Sequence, residues 1–262
     1  MLQKIVLLGS GNLAHHLGRY FYKNGIIISQ IFSRNKMTAQ ALAKKLDALV
    51  DSDLDQIVRK ADAYILCVND DSIKELSTQL SEILANDKLI IHCSGSKPIS
   101  EINEFFINRA VIWPIQSFGA KSKIDWNEIP FFIEATNSCK DIVEQLCRQM
   151  NWKFHPIDSE RKKLIHIAAV FANNFSNFNF IIAKEILSTL NLGIEVLKPL
   201  VESSQENIFI NGPEESQTGP ARRSDTKVVQ MHLKELSKEF PHFKELYKEY
   251  SNLIMDYYKT KK

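Results

Sequence analysis

Lys4-Ile5-Val6-Leu7-Leu8-Gly9-Ser10-Gly11-Asn12-Leu13-Ala14 is the stretch on which the fold turns. A short apolar run ends in one glycine, a second glycine follows two positions on, and a helical pattern from Asn12 to Lys23 opens at once. The spacing matches G-x-G-x-x-A, the form in which a strand, a tight turn and a helix cradle a dinucleotide pyrophosphate. Each small residue has a physical task. Gly9 permits the turn, Gly11 lets a phosphate reach the backbone, and Ala14 lets the helix pack closely on the sheet. The helix start adds free N–H groups and a partial positive charge, so Gly9, Ser10, Gly11, Asn12 and Leu13 are candidate cofactor residues. A merely structural glycine turn is the competing reading.

Outward from this loop, Ile26 to Ser33 is the next extended run, and its end discriminates between cofactors. NAD-dependent enzymes carry an acidic residue there to accept the ribose hydroxyls. This chain has Ser33-Arg34-Asn35-Lys36 instead. A guanidinium forks onto a 2′-phosphate, so Ser33 and Arg34 point to NADP; a solvated basic turn is the alternative. Further apolar runs at Ala63–Val68, Leu89–Cys93, Val111–Trp113, Phe131–Glu134 and Trp152–Pro156 alternate with helical patterns at Thr38–Leu46, Asp71–Leu84 and Asn137–Met150. That alternation predicts a parallel sheet covered by helices on both faces. Val68, Asn69, Ser94 and Gly95 lie just past strand ends, where a ligand is expected. Asp70, Asp71 and Ser94 would also cap helices well, and for Asp71 the cap is the preferred role.

With 262 residues, 44% of them hydrophobic, the chain can bury a sizeable core. Its net charge of +2 offers no field of one sign to hold nucleic acid or an anionic membrane. No apolar stretch approaches the roughly 20 residues of a membrane span, and a cytoplasmic protein with a small-molecule substrate is expected. Cys67, Cys93, Cys139 and Cys147 are scattered, with neither metal spacing nor a redox pair. They are expected to be buried reduced thiols, and no metal site is expected.

The pattern changes after Pro156. Asp158 or Ser159 caps a helix, and Glu160 to Leu190 runs at helical spacing with neither Gly nor Pro, predicting one long helix. Ile194–Ile208, Lys227–Phe240 and His242–Tyr258 read as further helices, with a polar loop from Asn211 to Ser224. The fold class is therefore α/β: a Rossmann doubly wound parallel sheet over residues 1–157, followed by an all-helical domain over 158–262.

Several segments carry a resemblance over nearly the whole chain: the glycine loop, His92-Cys93-Ser94-Gly95, Trp113-Pro114-Ile115-Gln116-Ser117-Phe118, the run from His166 to Phe175, and Gln217 to Asp225. They resemble the bacterial family in which a Rossmann-like domain precedes domain of unknown function 2520, whose members are assigned as NADP oxidoreductases. Where much of that family has histidine before the proline of the third segment, this chain has Trp113. Ser224 stands where glycine or asparagine is expected. More distantly, the domain order is similar to pyrroline-5-carboxylate reductase, ketopantoate reductase and the deazaflavin-dependent NADP reductases. That similarity implies a cleft between the halves and a homodimer through the helical domain, without fixing the reaction.

On the long predicted helix, His166 and Asn173 are seven residues apart and share a face, with Asn174 one step round. Polar groups there are either satisfied core contacts or the polar wall of a site. In the second reading His166 donates a proton, Asn174 positions the substrate and Asn173 contacts it. Thr218 is a further catalytic candidate, and Arg222 and Arg223 are candidate ligands for a substrate anion unless they pair with Asp225. His232 reads as a satisfied interior histidine. The expectation is an NADP-dependent reductase of a small anionic carbonyl or imine compound. The alternatives are a non-catalytic NADP(H)-binding regulator or scaffold, and hydride exchange with a deazaflavin or flavin.

Overall fold

The computed structural model describes residues 2–260. Eight strands, β1 (Lys4–Leu8), β2 (Ile27–Phe32), β3 (Leu49–Asp51), β4 (Ala63–Leu66), β5 (Leu89–His92), β6 (Asn108–Pro114), β7 (Pro130–Ala135) and β8 (Lys153–Pro156), form one sheet. Their order is β3-β2-β1-β4-β5-β6-β7-β8, and every neighbouring pair is parallel except β6 with β7. The chain leaves β1 toward β2 on one side and returns as β4 on the other. Connections therefore diverge at the carboxyl ends of β1 and β4, and a crevice opens there.

Four helices cover the sheet: α1 (Asn12–Lys23), α2 (Lys36–Leu46), α3 (Ile73–Ser81) and α4 (Lys140–Gln149). The strand β1 is apolar throughout because both of its faces are covered. Ile5 and Leu7 pack into one cluster with Ala14, Leu17 and Phe21 of α1, while Val6 and Leu8 pack into the other with Ile73, Leu76 and Leu80 of α3. Each such side chain contributes roughly 1.5–3 kcal/mol on burial. The short edge strand β3 has only three residues and an exposed Leu49, so the sequence carries no periodicity that would disclose it.

The helical part comprises α5 (Ser159–Ala169), a π turn over Val170–Phe175, α6 (Ser176–Ser188), α7 (Lys198–Asn211), α8 (Pro213–Ser216), α9 (Thr226–Glu239) and α10 (Lys244–Lys259). The expected single helix from Glu160 to Leu190 is thus interrupted by the π turn. Asp158 is the N-cap of α5 and accepts from the Arg161 N–H. Two compact units divide after Val170, so α5 clusters with the sheet. In the second unit, Nδ1 of His232 and the Tyr247 hydroxyl lie 2.7 Å apart, joining α9 to α10. This is the satisfied histidine the sequence suggested.

Candidate functional site

The glycine loop is forced by its surroundings. The Gly9 N–H donates to the Phe32 carbonyl at 2.8 Å, and φ at Gly9 is +117°. A Cβ at this position would sit 2.1 Å from the Cys67 carbonyl oxygen, so no other residue fits. Gly11 is the N-cap of α1, with extended backbone, no side-chain cap and no acidic residue in the first helical turn. A Cβ on Gly11 would meet nothing within 4 Å, so the helix start faces open space with its N–H groups unclaimed by a capping side chain.

That opening belongs to a cavity of about 560 Å³ between the ends of β1, β2 and β4 and helix α3. Of the expected cofactor residues it brings together Gly9, Ser10, Gly11, Ser33, Arg34, Val68 and Asn69, with Asn35, Thr38, Glu75 and Gln79 beside them. Asn12 and Leu13 begin α1 without lining it, and Ser94 and Gly95 also lie outside it. The Ser10 hydroxyl lies 2.8 Å from that of Ser33 and 2.6 Å from that of Thr38, a buried link fixing the glycine loop to the end of β2. Asn35 caps α2 by accepting from the Thr38 N–H. Arg34 is exposed and forms no ion pair among the described residues, so its guanidinium is available to a ligand.

A second cluster surrounds the turn after β5. Ser94 and Gly95 are buried, and a Cβ on Gly95 would lie 2.5–2.8 Å from the indole of Trp113. The imidazole of His166, on α5, meets that indole edge-on with ring centroids 5.6 Å apart. His166 is half-buried, and its imidazole makes no hydrogen bond among the described residues. His92 accepts from the Ser94 N–H through Nδ1, leaving Nε2 to donate to the Pro98 carbonyl at 3.2 Å. Burial, reinforced by the positive charge of Lys162, lowers the His92 pKa to about 4, so this imidazole stays neutral. The Ser94 hydroxyl accepts from the N–H groups of Ser96 and Lys97, closing the turn.

One acidic residue departs from its expected role, and its neighbour finds a partner across the turn. Asp71, expected to cap a helix, pairs its carboxylate with Lys97 at 3.0 Å. Asp70 instead accepts a short hydrogen bond from the Ser96 hydroxyl. All four cysteines are free and buried, but they are not all scattered. Cys67 and Cys93 follow the paired residues Leu66 and His92 of neighbouring strands. A hydrogen bond from Cys93, together with burial, holds the Cys67 thiol well above its ordinary pKa and hence unreactive.

Sequence reasoning missed Lys162. It stood in the charged run Glu160-Arg161-Lys162-Lys163, which reads as a solvated face, yet its side chain is fully buried. Its Nζ donates to the Lys97 carbonyl at 2.5 Å and to the Ser94 carbonyl at 3.4 Å, and it lies 4.0 Å from the Glu134 carboxylate. Ser159 donates to that same carboxylate.

The remaining candidates lie in the second unit. Asn173 and Asn174 are exposed within the π turn. A π turn takes up an extra residue, so the seven-residue spacing of a regular α-helix does not apply through Val170–Phe175. Thr218 and Arg223 are exposed in the loop before α9, and Arg222 lies with its guanidinium 3.9 Å from the centre of the Tyr258 ring. Asp225 does not pair with either arginine; it caps α9 by accepting from the Val228 N–H at 3.2 Å. Ser224 has φ of +56°, the left-handed conformation for which glycine or asparagine was expected.

Comparison with known proteins follows this geometry. Residues 4–95 match the family described as NADP oxidoreductase, coenzyme F420-dependent, and residues 129–254 match the domain of unknown function DUF2520. A solved Bacteroides fragilis structure assigned as an NADP oxidoreductase is 33% identical, over 97% of this chain and 98% of that one, with a TM-score of 0.90. A protein of Thermotoga maritima is 27% identical over 98% of this chain and 99% of its own, with a TM-score of 0.73. The imine reductase of Myxococcus stipitatus, solved with NADP+, shares the fold at 13% identity, over 98% of this chain and 94% of that one, with a TM-score of 0.73. No curated protein matches the chain. With a third of its residues shared along almost its full length, the chain belongs to the family of the Bacteroides protein, in which an NADP oxidoreductase domain precedes DUF2520.

Proposed function

We propose that this protein is an NADP-dependent reductase of a small carbonyl or imine compound bearing an anionic group. One observation carries the reading: a single cavity is lined by both the open glycine loop and Ser33-Arg34, without an acid at the end of β2. In this reading the Gly9–Gly11 backbone and the α1 N-terminus receive the pyrophosphate, and Arg34 with Ser33 receives the 2′-phosphate. Val68 and Asn69 flank the adenosine half, and Ser94 and Gly95 hold the nicotinamide end. When bound, the reduced cofactor supplies the hydride that adds to the substrate carbon.

The chain's own groups supply the rest. His166 gives a proton to the oxygen or nitrogen that gains charge as the double bond is reduced. An imidazole that touches Trp113 edge-on and makes no hydrogen bond among the described residues supports this role over a structural one. Asn173, Asn174 and Thr218 are assigned to substrate contact. Arg222, whose flat face is held by Tyr258, and Arg223 are assigned to the anion. No helix among the described residues is long and apolar enough to cross a membrane; the reading places the protein in the cytoplasm, where its free thiols stay reduced. The exposed apolar faces of the helical unit are assigned to a second copy of the chain.

The test is a fluorescence titration of NADPH and NADH into the wild type and Arg34→Ala. NADPH should bind more tightly than NADH and lose about 1.5–3 kcal/mol in the variant, the worth of a charge-assisted contact. Binding of neither nucleotide would end the oxidoreductase reading. The presence of Trp113 where relatives are expected to carry histidine favours a second reading, an NADP(H)-binding regulator. It predicts tight NADPH binding with no turnover in a broad carbonyl and imine screen.

A further inference from the structure

Resting on that reading, we propose that Lys162 is a positioning residue for the nicotinamide end of the site: its ammonium holds two carbonyls of the Ser94–Lys97 turn and so fixes the backbone against which the ring is received. A lysine is almost never fully buried without a dedicated partner. Here the acceptors are the Lys97 carbonyl at 2.5 Å and the Ser94 carbonyl at 3.4 Å, which are the two ends of the turn carrying Gly95. The turn's other ties come from its immediate neighbours and the β4 loop: His92 to Pro98, Ser96 to Asp70 and Lys97 to Asp71. Lys162 is the contribution of α5, the helix that also presents His166 four residues further on. One helix thereby sets both the ring's support and the proposed proton donor.

The charged surroundings suit a clamp that depends on protonation. Glu134 on β7 lies 4.0 Å away and Asp70 after β4 also favours the ammonium, while burial and the neighbouring Lys163 disfavour it. His92 on β5 is neutral, and the Lys97 ammonium is engaged by Asp71. Burial prevails, and the Lys162 pKa falls to about 8. Above that pH the group becomes a neutral amine, whose hydrogen bonds to the turn are weaker.

The experiment measures NADPH and 2′-phospho-ADP-ribose, which lacks the nicotinamide, on either side of pH 8 with wild type, Lys162→Met and Glu134→Gln. Wild-type NADPH affinity should fall about tenfold as the pH rises through that value, the loss of one charge-assisted contact. Lys162→Met should bind NADPH weakly with a flat profile. Glu134→Gln should move the fall to lower pH, because the Glu134 charge helps Lys162 keep its proton. The nicotinamide-free probe should bind all three alike at every pH. Probe binding with a wild-type NADPH profile in Lys162→Met overturns this inference alone; a probe that binds none of them overturns the cofactor reading and this inference together. Should Lys162→Met fail to fold, the Glu134→Gln shift decides, and an unmoved midpoint refutes the clamp.

Discussion

The two compact units use apolar residues in opposite ways. The sheet unit closes on itself: β1 is enclosed on both faces, and the buried polar side chains of Ser10, Ser33, His92, Ser94 and Lys162 find partners within the unit, although the buried Arg109 Nε, Gln149 Oε1 and Trp152 Nε1 do not. Among the described residues from Phe171 on, by contrast, only Ala221, Val229, Leu233 and Phe243 are buried apolar side chains. Phe171, Phe178, Leu200, Ile210 and Leu253 are exposed in the single chain, and Phe209 is 91% exposed. Scattered apolar residues on a surface need no explanation, but large aromatic and aliphatic groups repeated along several helices mark an interaction face. The first unit is specified by its own interior, whereas the second leaves large apolar side chains exposed in the single chain.

The largest effect should come from charging those exposed faces, which are proposed to meet a second copy of the chain. Phe209→Glu with Ile210→Glu places charges where a second copy is proposed, forfeiting roughly 1.5–3 kcal/mol for each side chain that would have been buried. Light scattering should report a monomer and calorimetry an earlier melting of the helical unit, with NADPH titration of the sheet unit unchanged. A dimeric mass kept by the doubly charged protein would break the comparison, since the face would then be indifferent to charge.

Next in size is His166→Gln, which keeps a polar side chain beside Trp113 but removes the imidazole. A lost general acid costs about 10²–10⁴-fold in turnover, while NADPH affinity should be unchanged, because His166 is assigned to the substrate rather than the cofactor. Equal losses in turnover and in NADPH affinity would instead make His166 part of the wall around the turn after β5.

The same contrast explains what the sequence disclosed. Gly9, Gly11, Ser33 and Arg34 were legible because a turn of fixed length between a strand and a helix leaves few residue types able to serve, so spacing alone reports geometry. Lys162 was not, because only the third dimension turns one of several neighbouring cations inward beneath a loop far away in sequence. The Cys67–Cys93 neighbourhood was hidden for a related reason, since strand register is no local property. The π turn escaped because apolar periodicity continues through it while the backbone takes up an additional residue. Asp71 misled for want of a competitor: a helix-capping position was visible, whereas Lys97, the partner that claims it, was not.

The smallest effect separates loops held by geometry from loops merely tolerating it. Gly9 and Ser224 both have positive φ, at +117° and +56°. At Gly9 the backbone of Cys67 excludes any side chain, so the residue and the conformation are locked together. Ser224 pays a conformational cost of about 1–2 kcal/mol for a left-handed residue with a Cβ. Ser224→Gly removes that cost but enlarges the freedom lost on folding, which returns roughly 0.5–1 kcal/mol of the gain. The helical unit should therefore be stabilised by about 0.5–1 kcal/mol, seen in calorimetry as a small upward shift of its transition alone. An unchanged or lowered transition would mean that the serine side chain itself contributes to the loop, and that the Gln217–Asp225 segment is as closely specified as the glycine loop of the sheet unit.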